Sequence, residues 1–246
     1  MNILITTITR NDGHRLDTYY EQVSILPKLF KDHKFYLSIY ENDSTDDTRE
    51  KLKNYDFSMF EDVSIICEDL NYPFFESVDS ERRVQILAEC RNKAVFDCCF
   101  LDKCDKVLVI ESDVYYQPRA IRSLFNFDKI YNLEVDVVSS AYLWDQYSNA
   151  HYDTYGTRRT ETSRRDFLYE GWRDKEYDPY WATFNGIVYM NAEGFKQGAK
   201  YGWYNERLAT YDCDTVMICE EFRKRGFDKM YVYYKSRCYI NKVTNA

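Results

Sequence analysis

The stretch "DKVLVIESDVYY", Asp105 to Tyr116, decides the fold. Val107 to Ile110 is an unbroken run of apolar β-formers. Such a run reads as a strand buried on both faces. It stops at Glu111-Ser112-Asp113. If the backbone stays extended there, residues two apart point the same way, so both carboxylates face one spot. Carboxylates aimed at one spot repel unless a proton or cation joins them. A hard divalent ion such as Mg²⁺ or Mn²⁺ takes oxygen ligands, often one or two carboxylates plus a substrate diphosphate. The same acids would also suit a solvated loop after a strand.

Outward from this strand, elements alternate. Strands are expected over 3–9, 35–41, 63–67 and 135–141, with helices over 16–30, from a Ser44 or Thr45 cap to 55, over 80–100 and over 118–125. Alternating strands and helices mean βαβ units: an α/β fold, a mostly parallel central sheet with helices on both faces. Such sheets bind ligands beyond the carboxyl ends of their strands. Here those ends carry Thr7 to Arg10, Glu41 to Asp43 and Glu111 to Asp113. Residues 144–182 lack periodicity, as functional or mobile segments do. Beyond them, strands are expected over 187–190 and 230–234, and helices over 192–200 and 215–225. One domain of 246 residues is expected, with 1–140 as a nucleotide-binding half and 141–246 as an acceptor-side half.

Several side chains stand out. The apolar stripe of the 80–100 helix is Val84, Leu87, Ala88, Ala94, Val95 and Cys98, and Arg91 falls within it. A buried arginine needs a carboxylate or a ligand anion, and its fork suits phosphate. An ion pair with Asp113 is one option. Glu41 and Asp43 can accept from a ribose or base, while Asp43 or Ser44 can also cap a helix. Thr7 and Arg10 end the first strand, where threonine also serves plain β-propensity. Asp212 and Asp214 flank Cys213 before a helix; they fit a metal site, an acceptor hydroxyl or helix capping.

Composition narrows the classes. Lys and Arg number 33 against 41 Asp and Glu, a net charge of −8, which argues against a nucleic-acid partner. The eight cysteines form no CxxC pair and histidines number three, so a zinc site is not expected. Free thiols suit a reducing compartment. No apolar stretch approaches the ~18 residues of a membrane span. The N-terminus opens into a strand without a signal-peptide pattern. A cytoplasmic protein is expected.

The blocks "SIYENDSTDDT", "ILAECRNKA", "VLVIESDVYY", "HYDTYGTRR", "WATFNGIVYMNAEGF" and "YDCDTVMICEEFRKRGF" occur in this order. Together they resemble the fungal capsule-associated mannosyltransferases, glycosyltransferase family 69, over nearly the whole chain. "ENDST", "RN.A" and the strand-end acids also resemble the yeast mannan polymerases; "DTYGTRR" and "FNGIVYM" favour the capsule-associated group. The resemblance implies a GT-A fold, a nucleotide-sugar donor such as GDP-mannose, Mn²⁺ or Mg²⁺, a carbohydrate acceptor and retention of anomeric configuration. It implies metal-binding by Glu111 and Asp113, with Asp113 the safer ligand. Arg91 would meet the diphosphate, and Glu41 or Asp43 the nucleoside. Asp153, Arg158 and Arg159 would border the donor sugar or acceptor. Asn185 and Gly186 would lie beneath the sugar. No histidine follows His151 to complete the metal site, so Asp212, Asp214 or water would do so. If the reaction inverts, Asp153, Asp212 or Asp214 is the base. The known fungal members are membrane-anchored, so a bacterial or viral cytoplasmic relative fits this chain. Two other readings share the sheet. A sugar-nucleotide-forming nucleotidyltransferase would want a Gly-rich first loop, where "TTITRNDGH" has only Gly13. A non-catalytic carbohydrate-binding protein would have no need of the acids.

Overall fold

The apolar run after Asp105 becomes strand Lys106–Ile110, which lies inside a nine-stranded sheet. The structure is a computed structural model that describes residues 1–75, 79–145, 147 and 150–240. In chain order the strands are β1 (Asn2–Thr9), β2 (Lys34–Asn42), β3 (Asp62–Glu68), β4 (Lys106–Ile110), β5 (Val114–Tyr116) and β6 (Val137–Leu143). Next come β7 (Thr157–Arg158), β8 (Tyr177–Pro179), β9 (Ala182–Thr183) and β10 (Ile187–Asn191). The last are β11 (Tyr204–Asn205), β12 (Thr210–Tyr211) and β13 (Met230–Ile240). The helices are α1 (Gly13–Ser24), α2 (Leu26–Leu29), α3 (Thr48–Asn54), α4 (Glu81–Phe96), α5 (Pro118–Phe125), α6 (Phe127–Tyr131), α7 (Ala192–Lys196) and α8 (Asp214–Lys224).

The sheet order is β3-β2-β1-β4-β10-β6-β13-β5, with β8 pairing to β13. Strands β1 to β4, β6 and β13 run one way; β10, β5 and β8 run against them. The sheet is mostly parallel, as expected, with the second half's β10 inserted between β4 and β6. Side chains alternate between two cores. Ile3, Ile5, Leu108 and Ile110 face α1, α3 and α5 through Leu16, Leu52 and Leu124. Leu4, Val107 and Val109 face α4, α7 and α8 through Val95, Phe195 and Phe222. Each fully buried side chain of this kind contributes roughly 1.5–3 kcal/mol, so the two-sided sheet carries most of the stability.

Several boundaries differ from expectation; the helix expected over 192–200, for one, ends at Lys196. The 16–30 helix divides into α1 and α2 at Ile25, with Pro27 in the first turn of α2. The helix after Asp43 begins only at Thr48, because Ser44 and Thr45 bond elsewhere. Asn11 N–H donates to Ser44 Oγ at 2.9 Å, and Thr45 N–H donates to Asn11 Oδ1 at 2.8 Å. The 80–100 helix ends at Phe96, followed by Cys99 at φ 60°. Strand β13 runs on to Ile240 through an irregularity between Tyr233 and Arg237, adding pairing to β6 and β5. Among the described residues no helix is long and apolar enough to cross a membrane. The cysteines are free thiols, most of them buried.

Candidate functional site

Parallel pairing brings the carboxyl ends of β1, β2 and β4 to one edge of the sheet. Antiparallel β10 starts at the same edge, where Glu111 N–H donates to Gly186 O at 3.0 Å. A cavity of about 510 Å³ opens there. Thr9 to Asp12 form its floor with Asn42, and Glu111 to Asp113 form one side. Arg83, Ile86, Leu87, Cys90 and Arg91 of α4 supply a wall, with Pro73 to Phe75 and Tyr152 at the rim.

Glu111 and Asp113 both reach the cavity, by a route other than an extended strand. Residues 112 and 113 form a turn, and Val114 N–H donates to Glu111 O at 3.3 Å. Ser112 turns inward, and its hydroxyl donates to Asp12. Asp12 in turn pairs with Arg15 at 2.9 Å. Asp113 forms no salt bridge with a described residue. Burial, with the negative charges of Glu111 and Asp12 nearby, pushes its carboxyl up to about 7, against a weaker pull from Arg15. A hard cation there would reverse that balance.

Arg91 is buried, as its place in the α4 stripe requires, and both candidate kinds of partner can now be compared. Its Nη1–H donates to Glu111 Oε1 at 2.7 Å and its Nε–H to Asp214 Oδ2 at 2.7 Å. Its protein partners are thus Glu111 and Asp214, with Asp113 absent from the pair. The guanidinium also lies over Phe184 and Tyr201, with ring centroids at 5.2 and 5.8 Å. Those two carboxylates hold its proton more tightly than usual despite burial. Arg91 still lines the cavity.

Asp153 lies next in chain to the rim residue Tyr152. Its Oδ1 accepts from Gly156 N–H at 2.8 Å and Tyr155 N–H at 3.1 Å. Burial, and the charges of Glu111 and Asp214, raise it to about 6. Asp153 thus feels the charge of both carboxylates that hold Arg91. Gly156 fits this turn for want of space: a Cβ would lie 2.7 Å from Phe184 O and 2.9 Å from Asp153 Oδ2.

Other expected residues fall elsewhere. Thr7 is buried in the sheet, where its hydroxyl donates to Ile110 O at 2.8 Å and meets Tyr19 Oη at 2.6 Å. Arg10 lines the cavity but its fork holds Tyr72 O at 2.7 Å and Pro73 O at 3.1 Å. Glu41 is buried, ion-paired to Arg49, and accepts from Ser44 N–H at 2.7 Å. Asp43, at φ 55°, fixes the 71–72 backbone by accepting from Asn71 N–H at 2.7 Å and Tyr72 N–H at 3.1 Å. Asn185 is a buried hub: its amide donates to Ser139 and Thr183, and its oxygen accepts from Thr157 at 2.9 Å. Asp212 accepts from Arg158 Nη2–H at 2.6 Å, Asn205 at 3.2 Å and Cys213 N–H at 2.8 Å. Arg159 pairs with Asp166 at 3.3 Å. His151 is buried on Asn185 at 3.2 Å, and burial lowers it to about 4. Among the described residues no group of three or more His, Cys, Asp and Glu converges as a ready metal cage.

Sequence reasoning passed over Asp12, His14, Arg15 and Arg83, all in the cavity lining. "RNDGH" holds no phosphate-binding glycine loop; its signal is Asp12, between the end of β1 and the start of α1. Arg83 sits two turns before Arg91 on α4, the α-helical spacing that puts both on one face.

A sequence profile of the family described as cryptococcal mannosyltransferase 1 matches residues 2–221. A search of curated protein sequences found no match. Among solved structures, Staphylococcus aureus TarS 1–349 in complex with UDP aligns at TM-score 0.58 and 12% identity, over 97% of this chain and 60% of that one. The mannosyltransferase PcManGT from Pyrobaculum calidifontis, in complex with GDP-Man and Mn²⁺, aligns at 0.57 and 7% identity, over 100% and 58%. Glucosyl-3-phosphoglycerate synthase from Mycobacterium tuberculosis aligns at 0.51 and 14% identity, over 99% and 73%. The chain thus spans about 60% of the first of these structures. At such identities the likeness concerns the fold, which is that of GT-A glycosyltransferases. The profile match covers most of the sequence, and the chain belongs to the cryptococcal mannosyltransferase 1 family of glycosyltransferases.

Proposed function

We propose that the protein is a metal-dependent glycosyltransferase that moves a sugar from a nucleotide diphosphate donor to a carbohydrate hydroxyl. The donor is proposed to be GDP-mannose and the transfer to retain configuration. The observation that carries this reading is Asp113. Its carboxyl is raised to about 7 by burial and by two neighbouring acids, at the strand-end edge of a 510 Å³ cavity. The family match and the GDP-Man and Mn²⁺ held by PcManGT support the choice of donor and metal.

The donor set fits a hard divalent cation. Glu111 gives one oxygen to Arg91, and Asp113 has both oxygens free of salt bridges to described residues. Two carboxylates are too few for a closed cage, which suits an ion whose remaining ligands are diphosphate oxygens and water. When bound, the ion neutralises negative charge growing on the departing diphosphate. Arg91 holds Glu111 in place and adds fixed positive charge to the wall. Asp153, once ionised, accepts a hydrogen bond from the acceptor hydroxyl and positions it. The departing phosphate takes the proton. Asp212 and Asp214, each held by an arginine, orient the start of α8.

Thermal unfolding with GDP, Mn²⁺ and both together tests this. The pair is expected to raise Tm by several degrees more than either alone, because each ligand completes the other's site. No stabilisation by the pair, under conditions where the protein is folded, overturns the reading.

A further inference from the structure

A second hollow of about 220 Å³ lies on the other side of the α8 start. Its lining includes Tyr155, Arg158, Arg164 and Arg165 from the segment after Tyr152, with Tyr211 and Asp212 from the approach to α8. The two cavities share a wall: Asp214 pairs with Arg91 of the first, and Asp212 pairs with Arg158 of the second. Asp153 is joined to both, through Tyr152 at the first rim and through the Tyr155 N–H bond at the second.

The charge in this hollow is out of keeping with a protein of net charge −8. Three guanidiniums face two carboxylates, Asp79 and Asp212. Arg165 pairs with Asp79, and Arg158 pairs with Asp212. Arg164 forms no hydrogen bond or salt bridge with any described residue and is exposed. Arg158 is 2% exposed, and its Nε–H has no acceptor among the described residues. Leaving a buried charged donor unmatched costs about 1–3 kcal/mol or more. That donor has no open surface, so the charge an anion can reach in this hollow is that of Arg164 and Arg165. Tyr155 carries two of these guanidiniums over its ring, Arg165 at 4.8 Å and Arg158 at 5.9 Å. Exposed guanidinium forks and a volume near that of one sugar ring fit a sugar with an anionic substituent.

We propose that this hollow binds an anionic group on the acceptor, a carboxylate or a phosphate, and so selects acidic glycan acceptors. The inference rests on the glycosyltransferase reading above and adds the acceptor class. Arg164 and Arg165 grip the anion, and the neighbouring hydroxyl is turned toward Asp153.

The test is binding to the intact chain, read by titration calorimetry and saturation-transfer NMR. The probes are methyl glucuronide, methyl glucoside and inorganic phosphate. The glucuronide or the phosphate is expected to bind, the glucoside is not, and Arg164→Glu should weaken the anion at least tenfold. Because Arg164 is exposed, this variant should fold; circular dichroism checks that, and Arg164→Gln gives the charge-loss comparison. Binding of glucuronide alone marks an acid sugar, and binding of phosphate alone marks a phosphorylated acceptor. Failure of both anions to bind, or equal binding by the Arg164→Glu variant, overturns the proposal. GDP with Mn²⁺ on the wild-type chain reports the donor site separately, so loss of one reading is not confused with loss of the other.

Discussion

Asp113 shows what a single carboxylate is set up to do. Its folded pKa, about 7, lies above the ordinary carboxylate range. Ionising it therefore destabilises the metal-free protein; the cost grows as pH rises from about 4 to about 7 and is constant above that. Asp113→Asn should thus stabilise the metal-free chain at pH 8 by roughly 1–3 kcal/mol, with a smaller gain at pH 5. Urea unfolding at the two pH values checks this, and a pH-independent effect would contradict it. The same variant should lose the stabilisation given by GDP with Mn²⁺. Arg91 sets the opposite case. It compensates a buried carboxylate, Asp214, and a part-buried one, Glu111, so Arg91→Met leaves both without their cation. The expected loss is about 3–5 kcal/mol, read as a fall in the urea midpoint. A neutral outcome would mean that the pair is solvated in solution.

Elements explain why these side chains meet. Strand β4 ends where β10 begins, and Gly186 makes that junction possible. It sits at φ 65°, and a Cβ there would approach Tyr142 and Val114 within 3.0–3.1 Å. Gly186→Ala should cost about 1–3 kcal/mol, from a left-handed backbone and a crowded core. Because Gly186 O accepts from Glu111 N–H, the change should also weaken nucleotide–metal stabilisation beyond the stability loss. Thermal shifts with and without GDP and Mn²⁺ separate the two effects; an unaltered ligand shift would show that Glu111 is placed by other contacts. The turn at 112–113 does the rest. Ser112 donates to Asp12, which also lines the cavity, and so fixes the turn that carries the two flanking acids.

The molecule is built on one nine-stranded sheet, flanked by the small pairs β7-β9 and β11-β12, with the candidate site along one edge. Strand β10 lies between β4 and β6, and β13 lies beyond β6, so the first half cannot complete its sheet alone. A fragment of residues 1–143 would leave the facing edges of β4 and β6 unpaired. It is expected to be insoluble or unfolded, whereas the full chain should unfold in one transition by fluorescence and circular dichroism alike. An independently folded fragment would show that the division at 140 is a true domain boundary. Across the sheet edge, the first cavity and the arginine-lined hollow meet at the start of α8, so the proposed donor and acceptor would share a wall.

Much of this was legible in the residues alone. The apolar runs of β1, β2 and β4 announced a two-sided sheet, since only a strand covered on both faces can be apolar without alternation. Arg91 in the α4 stripe announced a buried charge that must be compensated, and the acids after Ile110 marked the edge where the cavity opens. Partner choice was not legible. That Arg91 takes Glu111 and Asp214, that Glu41 and Asp43 serve the protein's own backbone and arginine, and that Thr7 faces Tyr19 all depend on long-range approach. So did β5, β8 and the far end of β13, whose short or polar strands are held by pairing across the sheet rather than by their own pattern. Local propensity and burial are written into neighbouring residues, whereas the pairing of charges is set by which distant segments the sheet brings within 3 Å of each other.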